Sequence, residues 1–172
     1  LFVSANNYVG KVDIKFSVVR YGNVLGSRGS VVPFFIEKKD TGALPITDKR
    51  MTRFNITLNH GVDFVLECID KMWGGEIFVP KIPSYKIMDI AKAIAPDTKY
   101  KIVGIRPGEK LHEEMITKSD SMNAVEFDGY YVILPSVKLW SKTKFLNESN
   151  EKKGKIWEDG FSYNIYNNTH FL

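Results

Sequence analysis

The sequence contains a single cysteine, Cys68, and no apolar run near the roughly 18–20 residues that span a bilayer. One cysteine forms no internal disulfide, which fits a reducing cytoplasm. At the N-terminus no basic region precedes a hydrophobic stretch, as it would in a signal peptide. We therefore expect a cytoplasmic protein without a membrane segment. Because Cys68 lies in an apolar helical pattern, we expect a buried thiol and not a nucleophile.

The sequence also has little excess charge, since its 24 basic and 20 acidic residues give a net charge of +4. Nucleic-acid binders concentrate Lys and Arg on one face, whereas the basic residues here are scattered. A lysine cluster near the C-terminus, Lys152, Lys153 and Lys155, is mixed with Glu148 and Glu151, which predicts a solvated segment. We expect no nucleic-acid partner.

Residue sets for hydrolytic or metal chemistry are missing as well. The spacing of His60, His112 and His170 is not that of metal ligands, relative to one another or to Cys68. His112 beside Glu113 is most simply a solvated helix residue. No Ser-His-Asp or Cys-His arrangement is evident, and no residue stands out as a nucleophile or general base. The sequence therefore supports anion and sugar binding, with no metal and no catalytic residue of its own.

The most informative segment is the glycine-rich stretch 20–29, Arg-Tyr-Gly-Asn-Val-Leu-Gly-Ser-Arg-Gly. It follows an apolar run, Ile14 to Val19, that predicts a buried strand, and precedes Ser30 to Ile36, which predicts the start of a helix. Such a turn lets the backbone approach a phosphate, and a helix N-terminus favours an anion. A simple connection with turn glycines is the alternative, because the spacing is neither G-x-G-x-x-G nor that of a Walker A loop.

Two further loops carry charge. The segment 48–53, Asp-Lys-Arg-Met-Thr-Arg, is either a binding loop or a charged turn entering a strand. In the segment 106–110, Arg-Pro-Gly-Glu-Lys, proline and glycine can hold Arg106 and Glu109 in one direction. Arginine suits a diphosphate and a carboxylate suits paired sugar hydroxyls. A salt-bridged surface turn is equally compatible with this second segment.

Elsewhere, strand and helix patterns alternate, which predicts an α/β fold. The first nine residues resemble the end of a helix stopped by Gly10, as in a piece of a longer chain. Ser84 is a plausible cap for a helix through Ile94, and the pattern predicts a short helix over Leu111 to Ile116 and a strand over Tyr130 to Ile133. The clearest helix has an apolar stripe that we expect in the core: Val62, Val65, Leu66, Ile69, Met72 and Trp73.

Four motifs, taken in order, resemble the extended short-chain dehydrogenases (SDR) that act on nucleotide sugars in polysaccharide biosynthesis. Within that family the chain is most similar to the inverting UDP-N-acetylglucosamine 4,6-dehydratases of pseudaminic acid synthesis. The resemblance is dense from Leu1 to about Ser136. The motifs are Arg20–Val24 with Gly26–Val31, Leu44–Asp48 with Met51–Phe54, Gly75–Lys81, and Arg106–Glu113.

The resemblance implies the C-terminal part of an NAD(P)-binding Rossmann-type enzyme, with its smaller substrate-binding subdomain. The expected portions are 1–40, the end of the Rossmann-type core with its glycine-rich loop; 41–135, the UDP-sugar-binding portion; and 136–172, a polar tail. Two residue sets are implied: Val24, Leu25, Gly26, Ser27 and Arg28 for the cofactor NADP, and Asn23, Val31, Thr47, Arg106 and Glu109 for a UDP-GlcNAc-type sugar. Met51 and Arg53 are further candidates for the same pocket.

The family's catalytic Tyr-x-x-x-Lys pair is absent, since the position four after Tyr8 is Val12. The resemblance therefore implies that the isolated chain is inactive, while the full-length enzyme is a lyase and a homo-oligomer. A retaining 4,6-dehydratase or an epimerase of the same superfamily, which would share the glycine loop, is the alternative enzyme. A non-catalytic nucleotide-sugar-binding module is the alternative of a different class.

Overall fold

A computed structural model describes residues 1–137, 139–148, 154–157 and 160–172. They divide into two compact units, each assembled from three stretches of chain. The first unit comprises residues 1–21, 62–81 and 115–163, and the second comprises residues 22–61, 82–114 and 164–172. Parallel and antiparallel strands occur together with helices, which confirms the predicted α/β class.

The helices and strands are as follows. The helices are α1 Phe2–Ala5, α2 Val31–Lys38, α3 Leu58–Lys71, α4 Ile87–Ile94, α5 Lys118–Ser121 and α6 Lys142–Glu148, with a 3-10 turn over Asn6–Tyr8. The strands are β1 Val18–Val19, β2 Asn23–Val24, β3 Ala43–Ile46, β4 Thr52–Ile56, β5 Ile77–Pro80, β6 Ser84–Lys86, β7 Lys99–Ile102, β8 Glu114–Ile116, β9 Ala124–Glu126, β10 Tyr130–Ile133, β11 Lys155–Ile156 and β12 Tyr163–Asn164.

The first unit contains a five-stranded sheet in the order β1-β5-β10-β9-β11. Strands β1 and β5 run parallel, and the other neighbours are antiparallel. Aromatic and β-branched residues suit this pleated surface. They pack with α3 side chains into a core of Phe64, Cys68, Phe78, Val125, Phe127, Tyr130, Val132, Leu134 and Phe145. Cys68 is buried, as predicted.

The second unit contains the sheet β2-β4-β6, in which β2 is parallel and β6 antiparallel to β4. A second pair, β3 and β7, is parallel. The C-terminal stretch extends β6, because the Ser84 N–H donates to the His170 carbonyl and the Leu172 N–H donates to the Ser84 carbonyl, both at 2.9 Å. Helices α2 and α4 cover a core of Phe35, Leu44, Ile46, Met51, Tyr85, Ile87, Ala91 and Ala95.

Several local predictions are wrong. Ser84 lies in β6, and α4 starts at Ile87 after the cap residue Lys86. Part of the helix predicted over 111–116 is the strand β8. The strand predicted from Ile14 is limited to Val18–Val19. Short apolar runs fit either a helix or a strand, so hydrogen bonds to neighbouring segments decide which of the two forms.

The expected core stripe of α3 is also wrong in part. Val62, Leu66 and Ile69 are 49%, 58% and 58% exposed, whereas Phe64 and Cys68 are buried. At 3.6 residues per turn, positions two apart lie about 160° from each other around the helix. The helix therefore has two apolar faces, and the residue spacing alone does not show which one is covered.

Near the C-terminus, Glu148 ends α6 and Lys155 starts the exposed strand β11, which pairs with β9. Glu151, Lys152 and Lys153 of the predicted solvated segment lie outside the described residues. In the described part of the chain, no helix has the length and apolar character needed to cross a bilayer.

Candidate functional site

A pocket of about 300 Å³ lies entirely within the second unit. This volume is at the lower end of the range for small-molecule sites. The pocket brings together all five residues that the family resemblance implies for the nucleotide sugar. They come from four separate parts of the chain: Asn23, Val31, Thr47, Arg106 and Glu109.

One face of the sheet β2-β4-β6 contributes a wall of this pocket. Side chains alternate between the two faces of a strand, so Arg53 faces away from its neighbours Thr52 and Phe54. Register pairs Arg53 of β4 with Tyr85 of β6, and both line the pocket. Asn23 of β2 lines it as well, from the other side of β4.

Arg53 is held tightly at this wall. Its Nη1 donates to the carbonyls of Thr52 at 2.7 Å, Lys110 at 3.1 Å and Leu111 at 3.4 Å. Its Nε lies 3.5 Å from Oε1 of Glu113, and the Arg53 side chain is 12% exposed. Nη2 takes part in none of these bonds. A fixed guanidinium with a free edge can bind a phosphate oxygen.

Glu113 is the partly buried counter-charge of Arg53. Burial raises the pKa of Glu113, and Arg53 opposes that effect. The preceding residue, His112, is not on a helix, so its predicted helical position is wrong. Its Nδ1 lies 2.7 Å from the hydroxyl of Thr52, and its ring contacts Tyr166. His112 contacts Thr52 on one face of β4, and Glu113 contacts Arg53 on the other. Both residues therefore support this strand.

Arg106 and Glu109 form a closed turn, as their proline and glycine predict. The Glu109 N–H donates to the Arg106 carbonyl at 3.0 Å, and the Arg106 N–H donates to the Glu109 carboxylate at 3.2 Å. Gly108 has φ +84°, in the region that favours glycine. Arg106 and Glu109 are both exposed, and their side chains form no ion pair with each other among the described residues. The turn therefore presents the guanidinium to the pocket.

Two residues of the glycine-rich stretch, Asn23 and Gly29, line the pocket, and the residues between them do not. The residues predicted for the cofactor, 24–28, lie at the end of β2 and in the loop after it. Four of them are exposed, Val24 is partly buried, and none belongs to the residues lining the pocket. Gly29 and Ser30 do line it, and α2 begins there with Val31. The helix N-terminus thus adjoins the pocket, with N–H groups that suit an anion.

The sequence did not indicate several other lining residues. Phe34 and Phe35 have the spacing of ordinary helix core, and Pro45 and Ile87 lie in plain apolar runs. Tyr85 carries no local signal at all, because only its pairing with Arg53 places it here. With Val31 and Met51, which the sequence analysis did name, they give the pocket an apolar wall: Val31, Phe34, Phe35, Pro45, Met51, Tyr85 and Ile87.

Arg20, at the start of the glycine-rich stretch, has a structural role in the first unit. Its Nη1 donates to the Met115 carbonyl at 2.9 Å and to Asp120 at 3.1 Å. Asp120 also closes a capping box with Thr117 at the start of α5. Arg20 therefore contributes to the packing of the first unit, and it is not among the residues that line the pocket.

A family model described as "Polysaccharide biosynthesis protein" matches residues 1–135. The chain is 56% identical over 172 residues to a Campylobacter jejuni serotype O:2 protein named UDP-N-acetylglucosamine 4,6-dehydratase (inverting), over 98% of this chain and 51% of the relative. It is 39% identical over 152 residues to a UDP-glucose 4-epimerase of Rickettsia akari, over 86% of this chain and 44% of the relative.

Among solved structures, the X-ray structure of Pen from Bacillus thuringiensis matches with a TM-score of 0.79 and 30% identity, over 95% of this chain and 49% of that one. The chain thus spans about half the length of the relatives it matches. These matches, with the mixed α/β sheets, confirm the predicted α/β fold of a short-chain dehydrogenase type. The division into the end of a Rossmann-type core, a substrate-binding portion and a tail stays a prediction.

Proposed function

Because the chain belongs to the family of polysaccharide biosynthesis proteins, we propose that it is the nucleotide-sugar-binding portion of an enzyme. The enzyme is an NADP-dependent UDP-N-acetylglucosamine 4,6-dehydratase that inverts C5. The name of the Campylobacter relative supports this reaction. The observation that carries the proposal is the convergence of Asn23, Val31, Thr47, Arg106 and Glu109 on one pocket.

The chemistry of the pocket suits a nucleoside diphosphate sugar. Arg53 and Arg106 provide two permanent positive charges for the diphosphate, and Glu109 can accept hydrogen bonds from paired hydroxyls. The apolar wall, with Phe34 and Tyr85, offers a surface for the uracil ring. Binding the nucleotide away from the reacting carbon provides the positioning that elimination requires.

The cofactor role of Val24 to Arg28 stays a prediction. Two features of these residues suit cofactor binding. Leu25, Gly26, Ser27 and Arg28 are exposed, and the guanidinium of Arg28 can pair with a phosphate. The Leu25 N–H is used, since it donates to the Ile56 carbonyl at 2.9 Å, so the side of the loop away from β4 is left for a ligand. When bound, NADP supplies an acceptor for the sugar hydride and a donor that returns it.

Proton transfer is assigned to residues outside this chain. The sequence has no Tyr-x-x-x-Lys pair at its N-terminal helix, and its own pocket residues bind and orient the nucleotide sugar. The isolated chain is therefore expected to be inactive, while the natural protein that contains it is a lyase.

An epimerase is the second candidate, supported by the similarity to UDP-glucose 4-epimerase. Both enzymes would bind the nucleotide in the same way, so the pocket does not separate them. The product does: NMR of the reaction of the natural protein with UDP-GlcNAc should show a 4-keto-6-deoxy sugar inverted at C5. A 4-epimer that keeps its 6-hydroxyl would replace the proposal by an epimerase, and a product with retained C5 would replace it by a retaining dehydratase.

A further inference from the structure

Tyr85 in β6 has a buried ring and a hydroxyl for which the fold provides no partner. The residue is 3% exposed, and its ring belongs to the core of the second unit. Its hydroxyl forms no hydrogen bond to any described residue. Buried tyrosine hydroxyls usually find a partner, and a phenylalanine would fill the same space in the core. The hydroxyl of Tyr85 therefore needs a reason outside the packing of the fold.

The Tyr85 hydroxyl is accessible from the pocket. Side-chain oxygens of Ser30 and Asn55 are enclosed without a partner, whereas the Oη of Tyr85, which is also unpaired, is not enclosed in this way. It therefore retains accessible surface. Because Tyr85 lines the pocket, a ligand bound there can reach this oxygen.

The neighbours of Tyr85 place its hydroxyl at a charged part of the pocket. Tyr85 is the register partner of Arg53 on the adjacent strand, and Arg53 lines the pocket as well. Burial raises the pKa of Tyr85, the charge of Arg53 opposes this effect, and the charge of Glu113 adds to it. The hydroxyl thus lies in the field of the Arg53–Glu113 ion pair. Since its pKa is raised, it stays protonated at neutral pH and can donate a hydrogen bond.

Tyr100 in β7 is a tyrosine of the same unit whose hydroxyl serves the fold. Its ring packs against the same core as that of Tyr85. Its hydroxyl donates to the Ala95 carbonyl at 3.5 Å, and Tyr100 is not among the residues that line the pocket. Tyr100 therefore differs from Tyr85 in the two properties that matter here, a partner within the fold and a position outside the pocket.

We propose that Tyr85 is a further binding residue of this pocket, and that its hydroxyl donates to an oxygen of the diphosphate beside Arg53. An ionised phosphate oxygen only accepts hydrogen bonds, so it suits a hydroxyl donor next to a guanidinium. The ring of Tyr85 remains available to the uracil. This inference rests on the proposed function, since it names the part of the UDP-sugar that the hydroxyl recognises.

The test uses Tyr85→Phe in the natural protein that contains this chain, because this change removes the hydroxyl and keeps the ring. In titration calorimetry, we expect UDP and UDP-GlcNAc to bind about tenfold more weakly or worse, as for a lost hydrogen bond to a charged group. The factor should be the same for both ligands, since they share the diphosphate. The phosphorus NMR shifts of bound UDP at saturation should change too. Tyr100→Phe, the matched control, should alter neither the affinities nor these shifts.

The melting temperature of Tyr85→Phe should not fall, because no hydrogen bond of the fold is removed. Unchanged affinity for both ligands would overturn the inference, and a loss for UDP-GlcNAc alone would place the hydroxyl at the sugar. A loss for both ligands with unchanged phosphorus shifts would place it at the uridine, and a lowered melting temperature would make it structural. Failure of the proposed function looks different, because the unmodified protein would then bind neither UDP nor UDP-GlcNAc.

Discussion

Arg106 reaches the pocket from a turn whose shape depends on its backbone and on Glu109, not on its own side chain. Arg106→Ala should therefore leave folding intact and remove one charge-assisted contact, worth about 1.5–3 kcal/mol. We expect the KM for UDP-GlcNAc in the natural protein to rise about 10- to 100-fold with little change in kcat. Steady-state kinetics measures this.

The matched control for Arg106 is Lys110→Ala, which removes an exposed cation outside the pocket lining. Its KM should stay near that of the unmodified protein. An equal rise in both variants would indicate long-range electrostatics, and an unchanged KM in Arg106→Ala would remove Arg106 from the site.

Cys68 is buried, and burial raises the pKa of its thiol to about 12. Because the thiolate is the reactive form, we expect almost no reaction with a disulfide reagent such as DTNB at pH 8 in the folded protein. In denaturing urea, reaction of this thiol should be complete within minutes. Mass spectrometry of the peptide that carries Cys68 measures this, and rapid labelling without urea would contradict the buried position.

At the scale of elements, Gly22 allows the chain leading into β2 to pass close to β4. A Cβ at this position would lie 2.5 Å from Cβ of Phe54 and 2.8 Å from its carbonyl oxygen. Gly22→Ala should therefore lower the free energy of unfolding by about 1–3 kcal/mol, the usual range for overpacking. Gly129→Ala, where the added Cβ meets nothing within 4 Å, is the control. Thermal unfolding of both variants tests the prediction.

Helix α5 provides a pH-dependent element. Partial burial alone would raise the pKa of Asp120, but hydrogen bonds from Thr117 and Arg20 outweigh burial and lower it. A lowered pKa means that this carboxylate stabilises the fold above its unfolded pKa of about 3.9 and loses that contribution as pH falls through the lower folded value.

Asp120→Asn should accordingly reduce stability at pH 7, by about 1 kcal/mol for the lost cap, and have less effect near pH 3. Unfolding in urea across this pH range measures the difference. Asp97→Asn, which alters an exposed carboxylate with no ion pair to the described residues, should show no such trend. An equal effect of Asp120→Asn at both pH values would contradict the argument.

What could be predicted from the sequence differs between elements. The Arg106 turn and the start of α2 after Ser30 were predicted correctly, because Gly and Pro act through local backbone geometry. The exposed face of α3 and the strand β8 were predicted wrongly. The burial of a helix face and the formation of a strand depend on residues that are distant in sequence. Tyr85 reaches the pocket only through its pairing with Arg53, which no local pattern of residues encodes.

At the scale of the whole molecule, the exposed α3 residues Leu58, Val62, Leu66 and Ile69 form a continuous apolar stripe. Stripes of this kind promote association. We expect the 172-residue chain, prepared alone, to self-associate or to bind a hydrophobic dye. Leu66→Lys together with Ile69→Lys should reduce this, as measured by light scattering. Dye binding that is unchanged in the double variant would assign association to another surface.

The chain passes between its two units after residues 21, 61, 81, 114 and 163, so neither unit is one continuous stretch. This has a consequence for synthesis on the ribosome. The pocket cannot close before Glu109 has left the exit tunnel, and β9 waits for its partner β11 until residue 156. Because contacts between distant residues form slowly, the nascent chain should remain a client of chaperones until residues 109 and 156 have both emerged.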